Sequence, residues 1–215
     1  MIGDNSFGIV ALLLTTAFLP ILAVTVTAFA KIAVVIFIVR NALGIQQLPP
    51  NIILYALSLI LAVYVAMPVL QQGYMELEAR NFEFRSFDEW REAGLAVSVP
   101  LKEFLTKHTD PTQLAFFQNS TTTIWGEKFA ATAGDKDFSM LVPSFLLSEL
   151  TRAFEIGFLL YLPFVAIDLI VTTILVALGM MMVPPTTISI PFKLMLFVFL
   201  DGWTKLVHGL ILSYA

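Results

Sequence analysis

Two histidines, His108 and His208, are the side chains best suited to moving protons or binding metal near neutral pH. They lie far apart in the chain, and neither has a second histidine or a carboxylate at ligand spacing. A zinc site or a His-based triad therefore has no sequence basis, and both read as surface or packing residues. The chain has no cysteine, which removes thiolate nucleophiles, cysteine-ligated metals and disulfides. No phosphate-binding loop, dinucleotide fingerprint or nucleophile elbow occurs. The expectation is a protein that is not an enzyme and holds no cofactor and no metal.

Charges set in apolar surroundings say more, because an ion in hydrocarbon is costly and must face a partner, a cavity or the interface. Lys31, Asp168, Lys193, Asp201 and Lys205 stand in apolar stretches. Glu149, Arg152 and Glu155 follow i, i+3, i+6 spacing, which can build a ladder on one helix face. Asp201 and Lys205 have i, i+4 spacing. Lys31, Asp168 and Lys193 are candidates for pairing between helices or between subunits. Asp168, deep in an apolar run, suits a buried structural pair better than a proton relay. For the Glu149–Glu155 group and Lys205, positions at block ends facing water remain an equal reading.

The sharpest local feature is Gly179-Met180-Met181-Met182-Val183-Pro184-Pro185. Successive side chains of an α-helix point about 100° apart, so three consecutive methionines cannot share one face. Pro184 biases Val183 toward extended geometry, so a helix should end here. A break can present adjacent side chains in ways that a helix cannot. Methionine is flexible and polarizable and adapts to irregular partners. Two readings stand at this point. Several copies meeting at an axis can seal around a varied polypeptide with a ring of such loops, or the methionines are ordinary packing or lipid-facing residues at a helix end.

The elements that must position these residues are apolar. Of 215 residues 58% are hydrophobic and only 13% charged, where soluble domains carry about 25% charged residues. The net charge of −4 argues against nucleic acid as a partner. Four apolar blocks stand out: Ser6 to Val39, Ile52 to Leu70, Ile156 to Met182 and Thr186 to Ala215. Backbone groups in hydrocarbon must be paired within the segment, so these should be helices, and the alternation of a barrel is absent. The fold class is an all-α membrane protein: four long apolar helical segments form two kinked hairpins, with a polar helical domain between the second and third.

The boundaries follow. Residues 1–70 form an N-terminal hairpin, 71–139 a polar domain, and 140–215 a C-terminal hairpin carrying the Met loop. Gly44, Pro49 and Pro50 shape the first connection, and Pro20, Pro68 and Pro163 should kink their helices. In the polar domain Ser86 and Glu89 have capping-box spacing, Gly94 is placed to stop the helix, and Pro100 suits the first turn of another. Asp110-Pro111 reads as a cap followed by proline at the first helical position, and Asn119 to Asp137 reads as loop. The N-terminus lacks the basic segment of a signal peptide, so its apolar stretch is expected to be retained. Arg40 in the first short loop and Lys193 near the second place those loops in the cytoplasm, and the polar domain across the membrane from them.

Three stretches resemble the FliP/SctR family: KIAVVIFIVRNALGIQQLPPN (Lys31 to Asn51), SELTRAFEIGFLLYLPFVAIDLIV (Ser148 to Val171) and ALGMMMVPPTTISIPFKLMLFVFLDGW (Ala177 to Trp203). Members are core subunits of the bacterial type III export apparatus, in flagella and in injectisomes. The resemblance runs from about Phe18 to the C-terminus and is weakest in the middle domain. It implies a five-copy ring, joined by a small two-helix subunit and a larger single-copy subunit, that forms the entry portal for unfolded export substrates in the bacterial inner membrane. It implies that Met180, Met181 and Met182 form a gasket closing the pore, broken from the helices by Gly179, Pro184 and Pro185. It also implies that Lys31, Glu149, Arg152, Glu155, Asp168, Lys193, Asp201 and Lys205 serve as inter-helix or inter-subunit charges, and that the middle domain is periplasmic. GIQQLPPN looks more like injectisome members than flagellar ones, and the signal peptide of many flagellar members is lacking. From another class, a small-solute or ion transporter would use the intramembrane charges, but it predicts inverted repeats that the chain does not show. A purely structural membrane scaffold, with an incidental Met loop, is the third reading.

Overall fold

The computed structural model describes residues 13, 16–18, 20–45, 47–80, 87–130, 134 and 136–215. Among these the chain forms helices and no strands: α1 (Thr16–Thr25), α2 (Phe29–Ala42), α3 (Asn51–Arg80), α4 (Phe87–His108), α5 (Pro111–Trp125), α6 (Glu127–Ala130), α7 (Phe138–Ala177), α8 (Pro185–Phe199) and α9 (Gly202–Leu212). Two of them, α3 and α7, are long and apolar enough to cross a membrane. The number rises to four if the bent pairs α1–α2 and α8–α9 each count as one span. The protein is thus an all-α membrane protein, as its apolar blocks require.

Length limits how much of this can sit in lipid. At about 1.5 Å per residue, the 40 residues of α7 extend roughly 60 Å, twice a hydrocarbon core of about 30 Å. Only 22% of the apolar window of α3 and 11% of that of α7 is buried inside the protein. Those surfaces therefore need hydrocarbon or other protein around them.

The described chain divides into two compact units. One draws on Ala62–Glu149 and the described residues before Lys31; the other combines Lys31–Leu61 with Leu150–Ala215. In the first, Leu105, Leu141 and Phe145 are fully buried, with Val26, Leu101, Phe104, Leu114, Phe138 and Val142 packed around them. Phe104 touches both Phe145 and His108, with ring centroids 5.8 and 4.7 Å apart, so His108 is a packing residue. At the start of α5 the Asp110 carboxylate accepts the Thr112 N–H at 2.7 Å, with Pro111 at the first helical position as expected. The Asp110 N–H donates to Ser148 Oγ at 2.9 Å, which ties this cap to α7.

Three local expectations in this unit need correction or fall outside it. Helix α4 runs uninterrupted through Gly94 and Pro100. Proline inside a helix costs about 3 kcal/mol and glycine about 1 kcal/mol. Here Ala93, Ala96 and Pro100, at i, i+3 and i+7, are buried on one face, and that packing overrides propensity. Of the Asn119–Asp137 stretch expected as loop, the part up to Ala130 is helical, continuing α5 to Trp125 and, after Gly126 (φ 78°), forming α6, while Gly134, Lys136 and Asp137 are non-helical. One of its hydroxyls is absorbed locally: Thr121 Oγ1 donates to the Phe117 carbonyl at 2.8 Å, one turn back. Ser86 lies outside the described residues; α4 opens at Phe87 with Asp88 and Glu89 in its first turn, where negative charge suits the helix dipole.

The second unit combines α2 and the start of α3 with most of α7, α8 and α9. Gly157 of α7 lies where any side chain would collide with Ile38 of α2, so glycine sets how closely these helices approach. Ile32, Val35, Ile36 and Val39 of α2 are buried. The first hairpin turns through Gly44 (φ 78°), whose N–H donates to the Asn41 carbonyl at 3.0 Å. Arg40 Nη1 then donates to Asn51 Oδ1 at 2.5 Å and to the Pro49 carbonyl at 3.4 Å, and its guanidinium lies 4.8 Å from the Phe37 ring centroid. Pro68 and Pro163 lie inside unbroken helices, while the 60° bend of the C-terminal hairpin falls at the break between α8 and α9.

Candidate functional site

The Met segment sits in a turn whose entrance and exit are both fixed by backbone chemistry. At the end of α7 the Met180 N–H reaches back to the Leu175 carbonyl at 2.9 Å, and the Gly179 N–H reaches Val176 at 3.0 Å. This pair of bonds is a Schellman motif, and it needs the left-handed φ of 72° that Gly179 supplies. The Val183 N–H closes the turn on the Met180 carbonyl at 3.3 Å. Pro184 is extended, with φ −62° and ψ 121°, and Pro185 occupies the first turn of α8, where a missing N–H costs nothing. Between these stops the three methionines project outward: Met180 is 44% exposed, Met181 80% and Met182 97%. Met181 and Met182 in particular gain little packing inside the chain.

A second group of predicted residues lies in the body of the same hairpin. Lys193 of α8, 5% exposed, places Nζ 2.5 Å from Asp168 Oδ2 on α7. The same ammonium donates to the Ala42 carbonyl at 3.0 Å, and Ser189 Oγ donates to Asp168 Oδ1 at 2.7 Å. Ser189 and Lys193 are one turn apart on α8, so both face Asp168. Ala42 is the last residue of α2, where unpaired carbonyls favour a cation. One lysine thus links the end of α2 to both arms of the C-terminal hairpin.

The other predicted charges lie outside the Asp168–Lys193 cluster. Lys31, 1% exposed, holds its ammonium 3.5 Å from the centroid of the Tyr214 ring. Glu149 is fully buried, Arg152 half-buried and Glu155 exposed along α7. Asp201 sits at the α8–α9 break in left-handed geometry (φ 50°, ψ 45°) and caps no N–H with its side chain. Its backbone carbonyl accepts the Lys205 N–H at 3.0 Å, but among the described residues the two side chains form no ion pair. Among the described residues no cluster of three histidine or carboxylate groups can hold a metal ion. Sequence reading missed Ser189, the Ala42 carbonyl, Tyr214 and the Arg40–Asn51 clamp. Only Arg40 and Asn51 carried a signal, as polar residues flanking a short Pro-Pro turn.

Family comparison fits this arrangement. The FliP family model matches residues 12–210. The chain belongs to the FliP family. A "Probable translocation protein y4yL" of Sinorhizobium fredii is 56% identical over 210 residues, 96% of this chain and 95% of the relative. The "Yop proteins translocation protein R" of Yersinia pestis is 46% identical over 215 residues, 98% and 97% of the two chains. The "Hypersensitivity response secretion protein HrcR" of Ralstonia nicotianae is 41% identical over 211 residues, 96% of each. These matches span the Met turn and the buried charges together.

Proposed function

We propose that this chain is a core subunit of an injectisome-type type III secretion export gate, assembling into a ring that forms and seals the entry portal for unfolded substrates. The observation that carries this reading is the Met turn. Three adjacent methionines, 44%, 80% and 97% exposed, project from a backbone fixed by a Schellman motif on one side and Pro-Pro on the other. Closed rings place one such turn from each copy around a common axis. Flexible thioether side chains packed there exclude water and ions, yet deform around any polypeptide that passes. Sealing requires neither a cofactor nor a reaction step, and the reading assigns none.

The remaining assignments extend the family resemblance. The ring holds five copies and joins a small two-helix subunit and a larger single-copy subunit in the bacterial inner membrane. Residues 71–139 form a periplasmic domain between hairpins at 1–70 and 140–215. Names of the relatives, which speak of Yop translocation and hypersensitivity-response secretion, favour the injectisome branch over the flagellar one. Asp168 and Lys193 hold the hairpin that carries the turn; they move no solute.

Because the chain has no cysteine, a single Met182→Cys substitution gives a unique thiol for testing convergence of the turns. In the assembled complex, a short bismaleimide should link neighbouring copies into a ladder ending at the ring's copy number. An assembled complex whose introduced thiols react but never cross-link would place the turns apart and overturn the gate.

A further inference from the structure

The bend between α8 and α9 encloses space that the gate reading does not use. Gly202 sits against the Phe197 ring, where any side chain would collide, so only glycine lets that ring fold over the bend. Phe197 then packs edge-on against Trp203, with centroids 5.5 Å apart, and against Phe164 at 6.4 Å. Beneath this bend lies a cavity of about 350 Å³ walled by leucines, among them Leu160, Leu196, Leu200, Leu206 and Leu210. The only polar side chain lining it is Lys205, which is exposed and has no ion-pair partner among the described residues.

We propose that this cavity takes one acyl chain of an anionic phospholipid, with the lipid phosphate on Lys205. The volume falls within the roughly 300–1,000 Å³ of small-molecule sites. An ordered water needs two to four polar partners, and these walls offer none, so hydrocarbon rather than water fits. A polar ligand would strand its own donors and acceptors here for the same reason. One exposed lysine lining an otherwise apolar space selects a ligand with an apolar tail and a single negative head. A partner helix, about 10–12 Å across, is too wide to enter, although single side chains of a partner are not. The site lies on α2, α7, α8 and α9, and the apolar window of α7 is mostly uncovered within the protein. The proposal is independent of the Met turn and stands or falls without it.

Native mass spectrometry of the assembled complex tests it, with phosphatidylglycerol and phosphatidylcholine of identical acyl chains as probes. Wild type should retain phosphatidylglycerol over phosphatidylcholine by about five-fold, the effect of roughly one cation at an anionic group. Lys205→Gln should bring that ratio near one while leaving phosphatidylcholine retention intact. Gly209 lines the cavity, and a Cβ there meets nothing within 4 Å, so Gly209→Phe fills it without a backbone clash. That variant should lower retention of both lipids about ten-fold, the equivalent of two displaced methylenes, with subunit composition unchanged. Equal retention of the two lipids by wild type, or retention unaffected by Gly209→Phe, would mark surface lipid only and overturn the proposal. Loss of a neighbouring subunit in Gly209→Phe, with lipid retention unchanged, would show that a protein side chain fills the cavity instead.

Discussion

The Met turn and the Asp168–Lys193 cluster sit on one hairpin and invert the usual distribution of side chains. At the turn, apolar groups face outward, Met181 and Met182 almost wholly uncovered by their own chain. Lower in the hairpin, a lysine faces inward among helices and reaches a carboxylate and a helix-terminal carbonyl. The first arrangement adds no stability to the isolated chain, while the second decides how its helices register. Under the proposed function, stability and sealing are separable along the hairpin, and substitutions should act on one without the other.

The largest expected effect comes from Lys193→Met. It leaves the Asp168 carboxylate and the Ala42 carbonyl without their common partner, while Ser189 keeps its bond to Asp168. Loss of one member of a buried pair costs about 3–5 kcal/mol; with Asp168 39% exposed to solvent, about 2–3 kcal/mol is expected. Denaturant unfolding of the purified chain in detergent measures it. The double variant Asp168→Leu/Lys193→Met should recover most of the loss, because no charge is then stranded. No recovery would mean that the cluster acts through more than charge pairing.

Next comes Gly157→Leu, which forces a side chain into Ile38 and should cost about 1–3 kcal/mol by the same measurement. Gly209→Ala, with open space around its Cβ, should instead be neutral or stabilise by up to about 1 kcal/mol. Equal penalties at the two glycines would show that α2 and α7 do not need their close approach. Gly179→Ala is smaller still. It meets no atom, but its left-handed φ of 72° should cost about 1 kcal/mol. Its effect on the proposed seal should exceed its effect on unfolding, since it re-aims the methionines.

Much of this was legible in sequence for a physical reason. Hydrocarbon demands long uninterrupted apolar helices, so α3 and α7 announced themselves, and Gly179 with Pro184-Pro185 marked the Met turn by backbone rules alone. The pairing of Asp168 with Lys193 was only a candidate, because it depends on the register of two helices joined by a turn. Ser189 and the Ala42 carbonyl were invisible for the same reason. Local rules failed where packing outvoted them. Gly94 and Pro100 read as a stop and a start, yet burial of one face of α4 carries the helix through both. At Asp201 an i, i+4 pair with Lys205 presumed a continuous helix, and the break removes that geometry.

The central claim is that the exposed methionines seal a pore rather than support a fold. Replacing Met180, Met181 and Met182 together with alanine should change unfolding by no more than about 0.5 kcal/mol, as expected for exposed positions. Ion leakage should then be measured through the assembled complex in a lipid bilayer, with subunit composition verified. Wild type should be closed and the triple variant should conduct without substrate. A fully assembled triple variant as tight as wild type would contradict the account.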